Sequence, residues 1–137
     1  MTELQVQRHA ALVRLFAAFN RHDAAGVMAY MTGDVVFDTA AGPEMFGHRI
    51  VGAAEVRVAF ERVWTDMPDV SWTCTQHHVF VDRGLSEWIF RGTAANGNRI
   101  EAEGCDLFTF DGEKVSRKSA FRKDRPQLPA LPEASAP

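Results

Sequence analysis

Residues 85–123 read LSEWIFRGTAANGNRIEAEGCDLFTFDGEKVSRKSAFRK, and this stretch decides the fold. It holds three β-rich runs, Leu85–Ala95, Arg99–Phe110 and Lys114–Lys123, separated by Asn96-Gly97-Asn98 and Asp111-Gly112-Glu113. Asn-Gly and Asp-Gly tolerate the positive φ that tight hairpin turns demand, so each separator predicts a hairpin. A fourth run, Val70–Val81, precedes them across Asp82-Arg83-Gly84. Three successive hairpin connections predict a four-stranded antiparallel meander.

Upstream the period changes from two to 3.6. Leu12, Leu15, Phe16 and Phe19 form an apolar stripe at helical spacing. Thr2 and Gln5 offer a capping box at its start. Asn20-Arg21-His22-Asp23 interrupts the stripe, and Asp23 caps a short second helix with Val27, Tyr30 and Met31 on one face. Thr32-Gly33-Asp34 is expected to stop that helix. Val35–Ala40 reads as a strand, and residues 41–52, with three Gly and one Pro, read as a loop. Val56, Ala59, Phe60, Val63 and Trp64 predict a third helix closed by Pro68. The order α-α-β-α-β-β-β-β is an α+β layout, with helices available to cover the apolar face of the sheet. Residues 1–124 are expected to form one domain. From Arg125 onward the chain carries four of its six prolines, and residues 125–137 are expected to be a flexible tail.

The length of 137 residues suits one domain, against a norm of about 100–200. A formal charge of −3 argues against a nucleic-acid binder, which needs a basic stripe. Cys74 and Cys105 show no metal-finger spacing, and reduced thiols in a cytoplasmic protein are expected. The N-terminus lacks the basic and apolar segments of a signal peptide, and no apolar run approaches the roughly 20 residues of a membrane span.

Asp106 is the leading candidate for chemistry. On the run from Ile100 to Phe110, one face reads Ile100, Ala102, Gly104, Asp106, Phe108, Phe110. A carboxylate among apolar neighbours must pair with a cation or shift its pKa upward and become neutral. A neutral carboxylic acid donates a proton or a hydrogen bond near pH 7. The bland alternative is a structural aspartate satisfied by an arginine or a backbone N–H.

Several segments together resemble a known superfamily. They are Phe19-Asn20-Arg21-His22-Asp23, the run Met31 to Phe37, Gly47 to Gly52, and Cys105-Asp106-Leu107-Phe108-Thr109-Phe110-Asp111-Gly112-Glu113-Lys114-Val115. Over roughly residues 8–124 the chain is similar to the nuclear transport factor 2-like superfamily, in its SnoaL-like and ketosteroid-isomerase-like branch. The resemblance implies a cone-shaped α+β barrel, with three N-terminal helices on a strongly curved, mostly antiparallel sheet around a pocket. It also implies a homodimer through the outer sheet face. Isomerases, cyclases, epoxide hydrolases, dehydratases and binding modules share this cone, so fold alone does not assign function.

The resemblance places Asp106 at the oxyanion-hole acid of the ketosteroid isomerases and close to the acid/base aspartate of the SnoaL-like cyclases. The rest of the isomerase set is missing: its tyrosine falls on Phe16 and its base on Thr39, with Asp38 one residue off. Neighbours on a strand point to opposite faces, so Asp38 reads as a solvated surface carboxylate unless a bulge re-aims it. The Asp-Arg-Asp set of the epoxide hydrolases is absent too, with Ala120 at one aspartate position and Glu87, Ile89 and Arg91 where the others belong.

Arg91 and Arg122 fall on cavity-facing positions in the same registration, where either is a partner for Asp106 or for an anionic ligand group. Alternation within Leu85–Ala95 disagrees for Arg91, because Trp88, Phe90, Gly92 and Ala94 make the more core-like face. His78 shares the parity of Trp72 and Cys74, and His77 that of Thr73 and Thr75, so one of the two faces inward; a partly buried histidine is the blander reading of either. His48 lies in the Gly-flanked loop. Phe16, Phe19, Phe37, Phe60, Trp64, Phe108 and Phe110 are core residues first and pocket walls second. There is no phosphate-binding loop, dinucleotide fingerprint, zinc motif or nucleophile elbow, so no cofactor or metal is expected. The expected function is proton transfer (isomerisation, cyclisation or dehydration) on a hydrophobic small molecule bearing a carbonyl or hydroxyl. Asp106, Arg91 and His78 are its expected catalytic residues. Phe16, Phe19, Phe37, Thr39, Phe60, Trp64, Phe108 and Arg122 are its expected substrate contacts. The competing expectation is a non-catalytic ligand-binding or dimerisation module, with no nucleic-acid or membrane partner in either case.

Overall fold

The computed structural model describes residues 1–132, the Cys74 side chain excepted. Cys105 is a free thiol. The Cys74 half of the thiol expectation and residues 133–137 of the tail lie outside the described residues. The elements are α1 (Glu3–Asn20), α2 (Ala24–Met28), β1 (Met31–Asp38), β2 (Arg49–Val51), α3 (Ala53–Asp66), β3 (Ser71–Phe80), β4 (Arg83–Thr93), β5 (Arg99–Asp111) and β6 (Lys114–Arg122). The six strands form one sheet in the order β2-β1-β6-β5-β4-β3. Among the described residues, only the β1–β6 pair is parallel. The sheet is curved and the helices pack on its inner face, α1 against β3 and α3 against β1. This is the expected α+β architecture.

Local chemistry explains most elements. The Thr2–Gln5 capping box closes the start of α1, and the Asp23 side chain accepts the Gly26 N–H to start α2. One face of each helix joins a continuous core: Leu12, Leu15, Phe16 and Phe19 from α1, Val56, Phe60 and Trp64 from α3. Asn20, at the end of α1, bonds both the N–H and the C=O of Trp72 and so fixes the start of β3.

Three expectations are corrected. Thr32-Gly33-Asp34 does not end a helix: α2 stops at Met28, and these residues lie within β1, whose pairing with β6 shifts register between Met31 and Val36. That irregularity hides the strand alternation. Residues 41–52 are not all loop, because Arg49–Val51 pair with Val36–Asp38 as an edge strand too short to signal itself. The β3–β4 turn sits at Val81-Asp82, with Val81 at φ +52°, and Gly84 lies inside β4. Gly84 is there for close packing: a Cβ on it would stand 2.9 Å from the Phe110 ring and 3.1 Å from Leu12. In the tail, Leu128 exchanges both backbone hydrogen bonds with Arg99.

Arg8 ties two hairpins together. Its guanidinium is buried, donates to the carbonyls of Gly112 at 2.8 Å and Val81 at 2.7 Å, and lies over the Phe110 ring. Both acceptors sit in turns with positive φ. Arg8→Met is therefore expected to destabilise the fold by about 2 kcal/mol in chemical denaturation. Arg14→Met, on an exposed position of the same helix, is expected to change it by less than about 0.5 kcal/mol.

Candidate functional site

The inner face of the sheet carries two deeply buried ionisable groups. Asp106 on β5 is 0% exposed and Lys118 on β6 is 4% exposed. Lys118 lies diagonally across from Asp106, since Ala120 is the direct partner of Asp106 and Phe108 that of Lys118. Its Nζ stands 3.6 Å from Asp106 Oδ2, and Trp88 Nε1 donates to the same oxygen at 3.1 Å. Oδ1 of Asp106 is buried and has no hydrogen-bond partner among the described residues. Three aromatic rings surround the amine: Nζ lies 4.8, 4.7 and 5.1 Å from the ring centres of Phe19, Phe37 and Phe60. Burial pushes the Asp106 carboxyl up and the Lys118 amine down, and their mutual attraction opposes both shifts.

Sequence reasoning missed Lys118 because of a bulge. Counting back from the Asp-Gly turn without a bulge sets Lys118 opposite Leu107 on the outer face. The register shifts between Thr109 and Phe110, which brings Lys118 opposite Phe108 and turns it inward. Ala120 and Arg122 share its parity, and their cavity-facing registration was the one signal that pointed to it.

The expected companions of Asp106 lie elsewhere. Arg91 is on the outer face, donating to Glu101 at 2.9 Å and to Thr73 at 2.8 Å, as strand alternation implies. His78 is also on the outer face, 3.0 Å from Glu87. A register shift in β3 between Thr73 and Gln76 reverses parity, so His77 and not His78 faces inward. The structure brings neither Arg91 nor His78 to Asp106. His77 Nδ1 pairs with the buried Ser86 hydroxyl at 2.8 Å, and its ring packs on Phe16 and His9. Thr39 is engaged by its own loop, its hydroxyl donating to Ala41 and accepting from His48 N–H.

Asp38 is not the solvated carboxylate expected. It is 0% exposed, held bidentately by Arg49 from β2 and again by Arg117 from β6, at 2.6–3.0 Å. The strands flanking β1 supply these two cations. The hydrogen bonds from Arg49, with the charge of Arg117, outweigh burial and hold Asp38 below its usual 3.8.

Phe16, Phe19, Phe37, Phe60, Trp64, Phe108 and Phe110 all belong to the buried core. Phe19, Phe37 and Phe60 surround the Lys118 amine. Trp64 stacks on His22, Phe16 packs edge-on to Phe108, and Phe110 lies beneath Arg8. Arg122 stacks on the Phe90 ring at 4.5 Å and borders a hollow of about 340 Å³ lined by Ala40, Ala41, Ile100, Ala102 and Arg125. A second hollow, of about 370 Å³, includes outer-face residues Leu85, Glu87, Cys105 and Phe121. Neither has Asp106 or Lys118 in its lining. Along the inner face of β5, Gly104 separates Ala102 of the first hollow from Asp106. The Trp88 ring covers Gly104 so closely that a Cβ there would stand 2.5 Å from it. Among the described residues, no group of three or more His, Cys, Asp or Glu could hold a metal ion. No described helix is long and apolar enough to cross a membrane.

The family model described as SnoaL-like domain matches residues 12–118. No curated protein matches the chain. Among solved structures, Bal32a from a soil-derived mobile gene cassette is 17% identical, covers 89% of this chain and 93% of its own, and superposes with a TM-score of 0.80. A candidate polyketide cyclase of Xanthomonas campestris pv. campestris is 18% identical, with 87% and 92% covered and a TM-score of 0.77. TerC, co-crystallised with polyporic acid, is 18% identical, with 85% and 91% covered and a TM-score of 0.73. At these identities the likeness is one of fold.

Burial, with His9 and His78 nearby, holds the His77 imidazole below its usual 6.5. The unfolded chain therefore binds a proton that the fold resists. Stability is full above 6.5 and falls as pH drops through the window beneath it. Asp38 loses its contribution only below 3.8, and the raised Asp106 acts in the opposite sense. Urea denaturation at pH ~7.5 and ~5 is expected to show a smaller loss for His77→Gln than for the native chain.

Proposed function

The chain belongs to the SnoaL-like domain family, and from that premise we propose that it is an enzyme moving a proton on a hydrophobic small molecule without a cofactor. The substrate bears a carbonyl or hydroxyl, and the reaction is an isomerisation, cyclisation or dehydration. The observation that carries this reading is the Asp106 carboxyl: sealed from water, held at one oxygen by Trp88, and left with an empty second oxygen. A carboxyl group whose charge burial disfavours is a ready proton donor, and its conjugate base is a ready acceptor. Oδ1 is the atom with capacity to take or give that proton. The Lys118 amine, with its Nζ 3.6 Å from Oδ2, is placed to donate a hydrogen bond to a substrate oxygen as negative charge develops on it. Phe19, Phe37 and Phe60 keep water from the pair. The Arg122 hollow is the entrance, and the Trp88 ring over Gly104 is the side chain that turns aside to admit substrate. Neighbours that include a candidate polyketide cyclase and a protein crystallised with polyporic acid are in keeping with a small organic substrate.

One observation favours a second reading. The two hollows described leave Asp106 and Lys118 untouched. A non-catalytic ligand-binding or dimerisation module needs no more than this.

Exchange of α-hydrogens in D2O, followed by NMR for 2-tetralone, 1-indanone and an apolar β-diketone, separates the two. Catalysed exchange that falls by about 10²–10⁴-fold in folded Asp106→Asn supports the enzyme. Native protein that exchanges no substrate of the panel faster than buffer overturns it in favour of the module.

A further inference from the structure

Lysine is an odd choice for the interior cation of this chain. Of its 15 basic residues twelve are arginine, and the other two lysines, Lys114 and Lys123, are exposed. An arginine offers a buried carboxylate two parallel hydrogen bonds, and Asp38 receives that bidentate grip from Arg49. Asp106 faces an amine at 3.6 Å, longer than any arginine contact to Asp38, and its other oxygen has no partner among the described residues. A buried ion pair offsets its desolvation only with close geometry and every polar atom satisfied. This pair meets neither condition, so structural stability does not explain the lysine. What lysine has and arginine lacks is a proton it can release to leave a nucleophilic amine. Deep burial behind aromatic side chains favours such an amine by desolvation, against the pull of the Asp106 charge and the ring faces toward the ammonium.

We propose that Lys118 is a covalent nucleophile, whose Nζ condenses with the carbonyl carbon of an apolar aldehyde or ketone while Asp106 carries the protons. The inference rests on the reading of Asp106 as an acid and base. The neutral amine forms the C–N bond as the C=O π pair moves onto oxygen. Asp106 protonates that oxygen and takes a proton back from nitrogen, leaving a carbinolamine beside a carboxylic acid. The acid then protonates the hydroxyl, the C–O bond breaks, water departs, and the nitrogen lone pair closes an iminium. Ammonium plus carbonyl has become iminium plus water, with no oxidant or reductant. The iminium acidifies the adjacent C–H, and the Asp106 carboxylate is placed to remove that proton, which gives an enamine. Reprotonation at another carbon isomerises the substrate, and hydrolysis frees Lys118. Burial assists the first step by favouring the neutral amine.

The test uses the native full-length chain with benzaldehyde or 2-naphthaldehyde and sodium cyanoborohydride near neutral pH. Intact mass and peptide mapping read the result. The expected outcome is a reduced adduct on Lys118 that forms severalfold faster than on Lys114 or Lys123, since a lowered pKa raises the fraction of free amine. Slower labelling of Lys118 in Asp106→Asn supports the proton-carrying step. Adducts confined to the surface amines, with Lys118 unmodified, overturn the proposal. Asp106-dependent exchange of ketone hydrogens without a Lys118 adduct overturns the imine and leaves the proton-transfer reading standing. A Lys118 adduct without exchange on any ketone sustains the nucleophile and sinks that reading. Lys118→Arg keeps the charge but forms no imine, and loss of exchange in the folded variant supports the covalent route.

Discussion

An amine and a carboxyl group share a dry chamber of aromatic rings, and much of the molecule is arranged around keeping them there. Each alone would be costly to bury, by several kcal/mol after relaxation. Together they offset part of that cost, and the faces of Phe19, Phe37 and Phe60 offset more on the amine side. The remainder is unrelieved, because Oδ1 of Asp106 has no partner among the described residues. A folded protein that retains an unsatisfied polar atom beside an imperfect ion pair has set stability aside at that point.

The contrast with Asp38 shows how environment sorts two chemically equal side chains. Both aspartates are fully covered. Asp38 has a bidentate arginine on one side and a second guanidinium on the other, and is held as a carboxylate. It clamps β2 and β6 to β1. Asp106 has one indole N–H and one distant ammonium, and its charged form is disfavoured. Two carboxyl groups pushed in opposite directions divide into a structural clamp and, under the proposed function, an acid.

Strand identity, the meander and the helical stripes were legible because each follows a short-range rule, namely alternation, Asn-Gly and Asp-Gly turns, and apolar spacing. Asp106 was legible for the same reason, as a charge on an otherwise apolar face. The rest of the site depends on irregularities that local rules do not reveal. A bulge in β6 turns Lys118 inward, and one in β3 exchanges His77 for His78. A three-residue edge strand brings Arg49 to Asp38. Arg91 was a conflict between alternation and family registration, and the structure follows alternation. One misplaced residue in a strand reverses every side chain beyond it, so errors gathered where the ladder is broken.

The central claim is that Lys118 holds an amine readily freed of its proton. With only three lysines in the chain, 13Cε-labelled lysine yields a small set of resonances whose shifts follow each ammonium through its titration. The account predicts that Lys118 titrates below the ordinary 10.5 of a lysine amine. A Lys118 resonance that titrates at that value or above it contradicts it.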